Sequence, residues 1–549
     1  MIIREEKKIL LRLSMSRFFL LKCLLLLIAA TIAASCSENS VKNVQPSLIS
    51  FEISKANNKD IDKTITFEYD ENQACYRGFY LKWIDKDNPD LFIPSFNYVG
   101  DRFTINGADV VSGETSLSFT GDLLCTVYSG NDKRDYKVSL VCPQINNELP
   151  VLRIDLNASD IKEEYTWLES KLMLYDAANN DMRWNYTDEA VNIRGRGNST
   201  WVLPKKPYRI KFPKKISPLK DITTQAKNWS LLAHDMDKSL IRNHLGFCIA
   251  RELFANNFVP VSDYVNVYFK DDYHGLYQLT DHIERGEGRV EIEKLDVKTG
   301  DGPDVITGGY MLESVINIDD PAIHFTTTKG FGFDHKYPKD DDHLDSQYKW
   351  IEDYVQQAED VLFSDAFDDP NNGWRHYFDE NTLVDYIITK ELSGDMDGYI
   401  STRLYKKRGD DKLYLGPVWD MDKGWGNDNR TPHVDYPPNN SLMIFAGFRM
   451  NGTSGTDWFC RFWEDKSLRD AVSLRWKQMK EILFTRVEAE IDRCQNEMAK
   501  SIQANFEVWP FNYQKSEFAP VPSGDYASLL DEMRQMTKER VTLLDNILK

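Results

Sequence analysis

Glu391-Leu-Ser-Gly-Asp-Met-Asp397-Gly-Tyr399, Arg403-Leu-Tyr-Lys-Lys407 and Lys412-Leu-Tyr-Leu-Gly-Pro-Val-Trp-Asp420-Met-Asp422-Lys-Gly-Trp-Gly426 decide how this chain is read. Thr402–Lys407 and Lys412–Trp419 flank the turn-forming run Arg408-Gly-Asp-Asp411, so the pair is predicted to fold back as a β-hairpin. In an antiparallel pair, the residue entering the first strand faces the residue leaving the second. That register brings Asp397 within about two residues of Asp420 at the open end, with Asp422 two positions further on. Carboxylates are the hard oxygen ligands that Mg²⁺ takes, one or two at a time, beside phosphate oxygens. Asp at strand ends also serves simply to bind backbone amides, and the bare Asp-x-Asp spacing does not choose between the two uses.

Upstream, Val191-Asn-Ile-Arg194-Gly-Arg196-Gly-Asn198-Ser-Thr-Trp201 is glycine-rich and polar, so its backbone amides can approach an anion. Pro204-Lys205-Lys206-Pro-Tyr-Arg-Ile-Lys211-Phe212 follows, alternating Tyr208, Ile210 and Phe212 with Arg209 and Lys211 as a strand does. A turn over phosphates beside a basic strand suits a nucleotide site. Gly195-x-Gly197 lacks the third glycine of the fuller motif, and a β-turn beside a basic edge strand explains it equally. Asp237 reads as the cap of a helix running through Leu253. Tyr264–Phe269 and Tyr273–Thr280 read as a second hairpin about Lys270-Asp-Asp272, with Asp281 and Glu284 just beyond.

Together these phrases resemble the CotH (spore coat protein H) kinase family: "R-G-x-G-N-S-T … K-K-x-Y" at 194–208, "W-x-L-L-A-x-x-x-D-x-S-L-I-R-N" at 229–243, and "D-x-D-G-Y … P-x-W-D-x-D-x-x-W-G" at 395–426. The resemblance implies an atypical protein-kinase-like domain that transfers phosphate from ATP, with Mg²⁺, to Ser of a protein acceptor. It implies Asp397 as the residue that orients or deprotonates the acceptor hydroxyl, and Asp420 with Asp422 as the metal ligands. Lys206 is the implied phosphate contact, with Lys205 and Lys211 as alternatives, and Arg196 and Asn198 belong to the nucleotide turn. Asp281 or Glu284 could pair with that lysine. One departure stands out: Ser401-Thr402 occupies the place where family members often carry Asn. The rival reading is a non-catalytic surface lipoprotein that binds protein or glycan on a kinase-like scaffold. No G-x-S-x-G elbow, P-loop or H-E-x-x-H occurs.

The remainder of the chain supplies an address and a second module. Arg17 and Lys22 precede an apolar run from Cys23 to Ala34, too short to span a membrane, ending in Ala33-Ala-Ser-Cys36. This resembles a lipoprotein leader over 1–36, lipidated at Cys36, and predicts a location in the bacterial cell envelope on a lipid anchor. Residues 37–46 read as a tether. Short strand-like runs over 47–145 predict a small immunoglobulin-like β-sandwich, and 150–549 the kinase-like domain with a helical C-terminal part, giving an α+β protein. Helices are expected over Ser346–Phe363, Asn381–Leu392, 466–506 and Asp525–Leu548. Residues 316–345, rich in Asp, Gly and His, read as a mobile loop. In the 549-residue chain a net charge of −19 argues against nucleic acid as a partner. Six further cysteines are widely spaced, with no zinc-binding C-x-x-C pattern; an exported location permits disulfides among them, and free, buried thiols are the plainer reading.

Overall fold

The structure, a computed structural model, describes residues 45–549 apart from 72, 86–87, 147–148, 157–160, 177–180, 219–224, 317, 319, 430–440, 447–454 and 514–517. The expected leader with Cys36, and the tether up to residue 44, lie outside the described residues. The chain packs as two compact units. The smaller contains Phe96–Val110 and Leu124–Tyr136. In it Cys125–Tyr128 run antiparallel to Arg102–Ile105, and Phe96 and Tyr98 lean on Phe103 at ring separations of 4.3 and 5.1 Å.

The larger unit holds Phe51–Ser95, Val111–Leu123 and everything from Lys137 onward. Its first part is strand-rich, as expected: Cys75–Phe79 lies parallel to Lys137–Val141, and Phe51, Phe67, Phe92 and Phe119 meet edge to face. Seven strands then close a barrel: β1 (Val151–Leu156), β2 (Leu168–Asp176), β3 (Asp181–Gly195), β4 (Tyr208–Ile216), β5 (Ala226–Leu232), β6 (Ser262–Phe269) and β7 (Asp272–Asp281). The order is β1-β2-β3-β4-β5-β7-β6, and β6 returns parallel to β1. The period of two decides which side chains fill it. On β4, Tyr208, Ile210 and Phe212 are buried in the barrel core, while Lys211 is exposed. Trp229 of β5 is wholly buried in that core.

A five-stranded antiparallel sheet follows: β8 (Tyr310–Ser314), β9 (His324–Thr326), β10 (Gly332–Tyr337), β11 (Arg403–Lys406) and β12 (Leu413–Leu415), ordered β9-β10-β8-β11-β12. The predicted hairpin is β11–β12, with Leu404 opposite Leu415 and Tyr405 opposite Tyr414. Strands β9 and β10 overturn the expectation of a loop over 316–345. Phe331 and Phe333 enter the main core, and His335 and His343 each stack on Tyr348 with ring centroids 3.7 Å apart. The histidines serve as flat rings, so a segment polar by composition carries an aromatic packing register.

Eight helices are described: α1 (Arg242–Leu253), α2 (Asp345–Leu362), α3 (Glu380–Ser393), α4 (Met443–Ala446), α5 (Gly455–Glu464), α6 (Lys466–Glu497), α7 (Ala499–Val508) and α8 (Tyr526–Ile547). Among the described residues, no helix is long and apolar enough to cross a membrane. The one helix expected over 466–506 is two, parted at Met498. The buried stripe of α6 runs through Leu468, Val472, Trp476, Leu483, Val487, Ile491 and Cys494. Leu474 and Ile482, apolar as they are, fall out of phase with that stripe and are 60% and 48% exposed.

Trp229→Ala empties the centre of the barrel core. It is expected to cost about 3–5 kcal/mol, read as a lowered urea midpoint with the α-helical content of the folded state unchanged.

Candidate functional site

Helix α3 is buried all round, with every residue from Thr382 to Ser393 inaccessible. Its last turn therefore carries charge into the interior. Lys390 and Asp395 are both wholly buried, with Nζ 2.8 Å from Oδ2. Nζ also donates to the Trp419 carbonyl at 3.3 Å and lies 3.1 Å from Met421 Sδ. Burial opposes the charge on Lys390, yet Asp395, Tyr386 and Asp420 hold its ammonium above the ordinary value. Gly394 adopts φ 61 and ends α3 in a left-handed cap, turning the chain into Asp395-Met-Asp397. Asp395 Oδ1 accepts the Asp397 N–H at 3.2 Å. One lysine thus joins the Asp-Met-Asp turn to the Trp-Asp-Met-Asp loop.

That loop is held from outside. Asp420 and Trp425 have φ of 52 and 48, the left-handed region that side-chain-bearing residues rarely adopt. The Met421 N–H donates to Asn243 Oδ1 at 2.8 Å. Nearly one turn along α1, Gly246 leaves room for the Met421 side chain, since a Cβ there would come within 2.3 Å of Met421 Cγ. Arg242 donates to the carbonyls of Gly424 at 3.0 Å and Trp425 at 3.2 Å, and pairs with Asp237 at 2.5 Å. Asp237 lies five residues before the start of α1 rather than at its N-cap, which is Ile241. It still accepts the Arg242 N–H at 3.0 Å. Its burial would raise its pKa, but Arg242 and its other partners hold it below the ordinary carboxylate value. The Trp425 N–H donates to the Ser393 carbonyl at 2.7 Å, and its indole to Thr537 Oγ1 at 3.1 Å.

Asp420 is the meeting point of these charges. It acts on Arg196, Lys390 and Arg403, and on the neighbouring acids Asp395 and Asp422. The guanidiniums of Arg196, from the glycine-rich turn, and Arg403, from β11, lie over the Trp419 ring at 5.4 and 5.6 Å. Phe247 of α1 stacks on the same ring at 5.4 Å. Burial lowers Arg403 to about 10, with Asp420 opposing and Arg196 adding to the shift. Asp422 is pushed up to about 7 by burial; Lys423 opposes this, and Asp420, Asp237 and Asp395 reinforce it. The donor set suits a hard dication. Asp420 and Asp422 are half-buried carboxylates that water still reaches, whereas Asp395 is wholly buried and committed to Lys390.

The other residues expected at the site differ in their surroundings. Asp397 is half-buried, and its carbonyl accepts the N–H groups of Ile400 and Ser401 at 3.0 and 2.9 Å. Lys206 Nζ donates to the carbonyls of Trp201 and Leu203 and lies 4.5 Å over the Trp201 ring. Lys205 is buried, bound to the Leu276 carbonyl at 2.5 Å and Asn505 Oδ1 at 2.8 Å, and burial pulls its amine well below the ordinary value. Lys211 and Asn198 are exposed. The lysine held by carboxylates is Lys390 of α3, which sequence reasoning passed over. Among the described residues, Asp281 and Glu284 pair with Arg289, at 3.0 and 2.6 Å, rather than with a lysine. Gly195 is needed because a Cβ would strike the Trp201 ring at 2.5 Å. Thr402, near where Asn was expected, is buried with its hydroxyl 3.2 Å from Tyr386 Oη.

A family model described as CotH kinase protein matches residues 193–538. The chain belongs to the CotH kinase family. The match takes in the glycine-rich turn, the α1 clamp and both aspartate-bearing segments, and continues past them into α5, α6, α7 and most of α8. No curated protein matches the chain.

Two outcomes follow for this CotH-family site. Lys390→Met leaves Asp395 buried without its counter-charge and is expected to cost about 3–5 kcal/mol, much of it recovered in Lys390→Met/Asp395→Leu; urea unfolding of the three proteins checks this. Because the Asp422 pKa is raised on folding, its carboxyl costs stability as pH rises toward about 7. A dication bound there displaces its proton. Apparent Mg²⁺ affinity should therefore rise with pH up to about 7 and level off above it, with proton release measurable by calorimetry in two buffers. Asp422→Asn should flatten the profile.

Proposed function

We propose that this chain is an envelope-attached protein kinase that transfers the γ-phosphoryl group of ATP to a serine hydroxyl of a protein acceptor. The observation that carries the reading is the convergence of Asp420 and Asp422 with the Lys390–Asp395 pair beside two guanidiniums. Phosphoryl transfer asks for little covalent chemistry: positioned phosphates, compensating charge and an acceptor for the hydroxyl proton. Asp420 and Asp422 would hold Mg²⁺, which supplies positive charge to the phosphates. Arg196 and Arg403 stand beside Asp420 to take phosphate oxygens. Lys390 fixes the two acidic segments against each other. Lys206 enters this reading only by leaving the Trp201 and Leu203 carbonyls, whereas Arg196, on the same glycine-rich turn, already faces Asp420.

Asp397 orients the serine hydroxyl and takes its proton as the oxygen–phosphorus bond forms and the bond to ADP breaks. The leader over 1–36, with lipidated Cys36, would place the enzyme on a bacterial envelope membrane facing protein substrates. A non-catalytic reading has one observation in its favour: the Thr402 hydroxyl lies against Tyr386 where relatives often carry Asn. The deciding measurement is ³²P transfer from labelled ATP to protein serines with Mg²⁺ present. Asp397→Ala and Asp420→Ala should each lower the rate by about a hundredfold or more. Equal rates in mutants and wild type reject the assignment, and ATP binding without transfer favours the scaffold.

A further inference from the structure

Helices α1 and α6 pack with a group of side chains between them that the phosphoryl-transfer reading leaves unused. His244 and Cys248 lie one turn apart on α1, and Glu490 and Cys494 one turn apart on α6. Donor atoms of His244, Glu490 and Cys494 all lie within 4.8 Å of one another. Cys248 Sγ is 3.5 Å from His244 Nε2, and Glu490 Oε2 is 3.3 Å from the same nitrogen. Both thiols are buried and free. We propose that these four residues form a structural Zn²⁺ site that staples α1 to α6.

The two separations about His244 Nε2 fit that ion. Tetrahedral Zn²⁺ with bonds of about 2.3 Å to sulfur and about 2.0–2.2 Å to nitrogen and oxygen sets its donors about 3.5 Å (N···S) and about 3.4 Å (N···O) apart. The observed separations are 3.5 and 3.3 Å. His244, Glu490 and Cys494 lie within 4.8 Å of one another, and Cys248, with Sγ 3.5 Å from His244 Nε2, becomes the fourth donor of a closed structural site when its side chain turns toward them. Mixed sulfur, nitrogen and oxygen donors select Zn²⁺ over Mg²⁺ or Ca²⁺.

Hydrogen bonding at His244 points the same way. Nε2 is approached by Cys248 Sγ, by Glu490 Oε2 and by Arg493 Nη2 at 3.0 Å. One ring nitrogen cannot serve all three. An arginine N–H can donate only to a lone pair on Nε2, which places the ring proton on Nδ1. There Ser262 Oγ lies 2.9 Å away, itself accepting from Gln278 Nε2 at 2.7 Å. That tautomer, held by an outer partner, is the metal-binding form. Two thiolates and a carboxylate leave a bound dication one unit negative. Arg251, with Nη2 3.2 Å from Cys248 Sγ, and Arg493, with Nε 2.8 Å from Glu490 Oε2, offset that charge. Metal entry requires Arg493 to swing off Nε2 onto its other acidic neighbours, Glu497 and Asp263, 3.4 and 3.7 Å away. The consequence for the rest of the molecule is direct. His244 follows Arg242 and Asn243, so an ion on His244 anchors the turn of α1 that clamps the Asp420–Trp425 loop.

The test is metal content. The full chain, expressed with Zn²⁺ and exhaustively dialysed, should carry about one Zn per chain by elemental mass spectrometry. Co²⁺ replacement should give the sulfur-to-cobalt charge-transfer band of a thiolate site. Cys494→Ser and Glu490→Gln should each lower retained Zn at least tenfold, and Cys460→Ser, outside the cluster, should keep it. Glu490→Gln preserves shape and guards against simple misfolding of a cysteine variant. Metal-free folded wild type that takes up no Co²⁺ overturns the site. So does a Cys248–Cys494 disulfide found by non-reducing peptide mapping. Because the readout is bound metal, loss of this site and failure of the kinase assignment are separable results.

Discussion

A lysine ammonium with no access to water governs the part of this protein that the CotH family model matches. Burying Lys390 would cost several kcal/mol if it stood alone. It is tolerated because Asp395, the Trp419 carbonyl and the Met421 sulfur surround it. The next residue repeats the device with opposite sign. Glu391 accepts from the Met443 and Ile444 amides at 2.7 and 2.9 Å, from Tyr399 Oη at 2.8 Å and from Arg540 Nη2 at 2.7 Å. Adjacent buried charges at the end of α3 therefore fix the Asp-Met-Asp turn, the Trp-Asp-Met-Asp loop, α4 and α8 in one place. Helical dihedrals point Lys390 and Glu391 about a hundred degrees apart, which lets a single turn gather segments from both sides.

The remaining parts of the site are brought to this hub by backbone constraints. Arg242 and Asn243 grip three residues of the Asp420–Trp425 loop, Met421, Gly424 and Trp425, through side-chain bonds, so left-handed dihedrals at Asp420 and Trp425 persist. The barrel contributes Arg196, carried on a turn whose shape depends on Gly195 fitting beneath Trp201. The five-stranded sheet contributes Arg403, which also pairs with Glu313 of the neighbouring strand. The cluster is assembled from three architectural layers, and none of them builds it alone.

Elements with short-range signatures were legible in the sequence. The β11–β12 hairpin announces itself through Arg408-Gly-Asp-Asp411, and α8 through Asp525, whose carboxylate accepts the Ser528 amide at 2.8 Å. The acidic segments were found because the hairpin argument is local. Lys390 and Asp395 were missed because α3 has no polar face to mark it. A lysine on a helix normally reads as solvated, and only the packing of α1, α6 and α8 around α3 makes it internal. The partners of the lysine pair at 205–206 are hidden in the sequence for the converse reason. A basic run beside a glycine turn looks free for phosphate, yet Lys205 is absorbed by Leu276 and Asn505, some 71 and 300 residues away in sequence. Long-range burial of polar groups leaves no periodic trace.

The indole of residue 419 has a further implication. Cations from the barrel and from the sheet share its π-cloud, and each such contact is worth about 0.5–2 kcal/mol. That is within a few multiples of thermal energy, so either guanidinium can leave the ring while the buried ionic hub behind it stays closed. Emission from this tryptophan would shift when one of them departs.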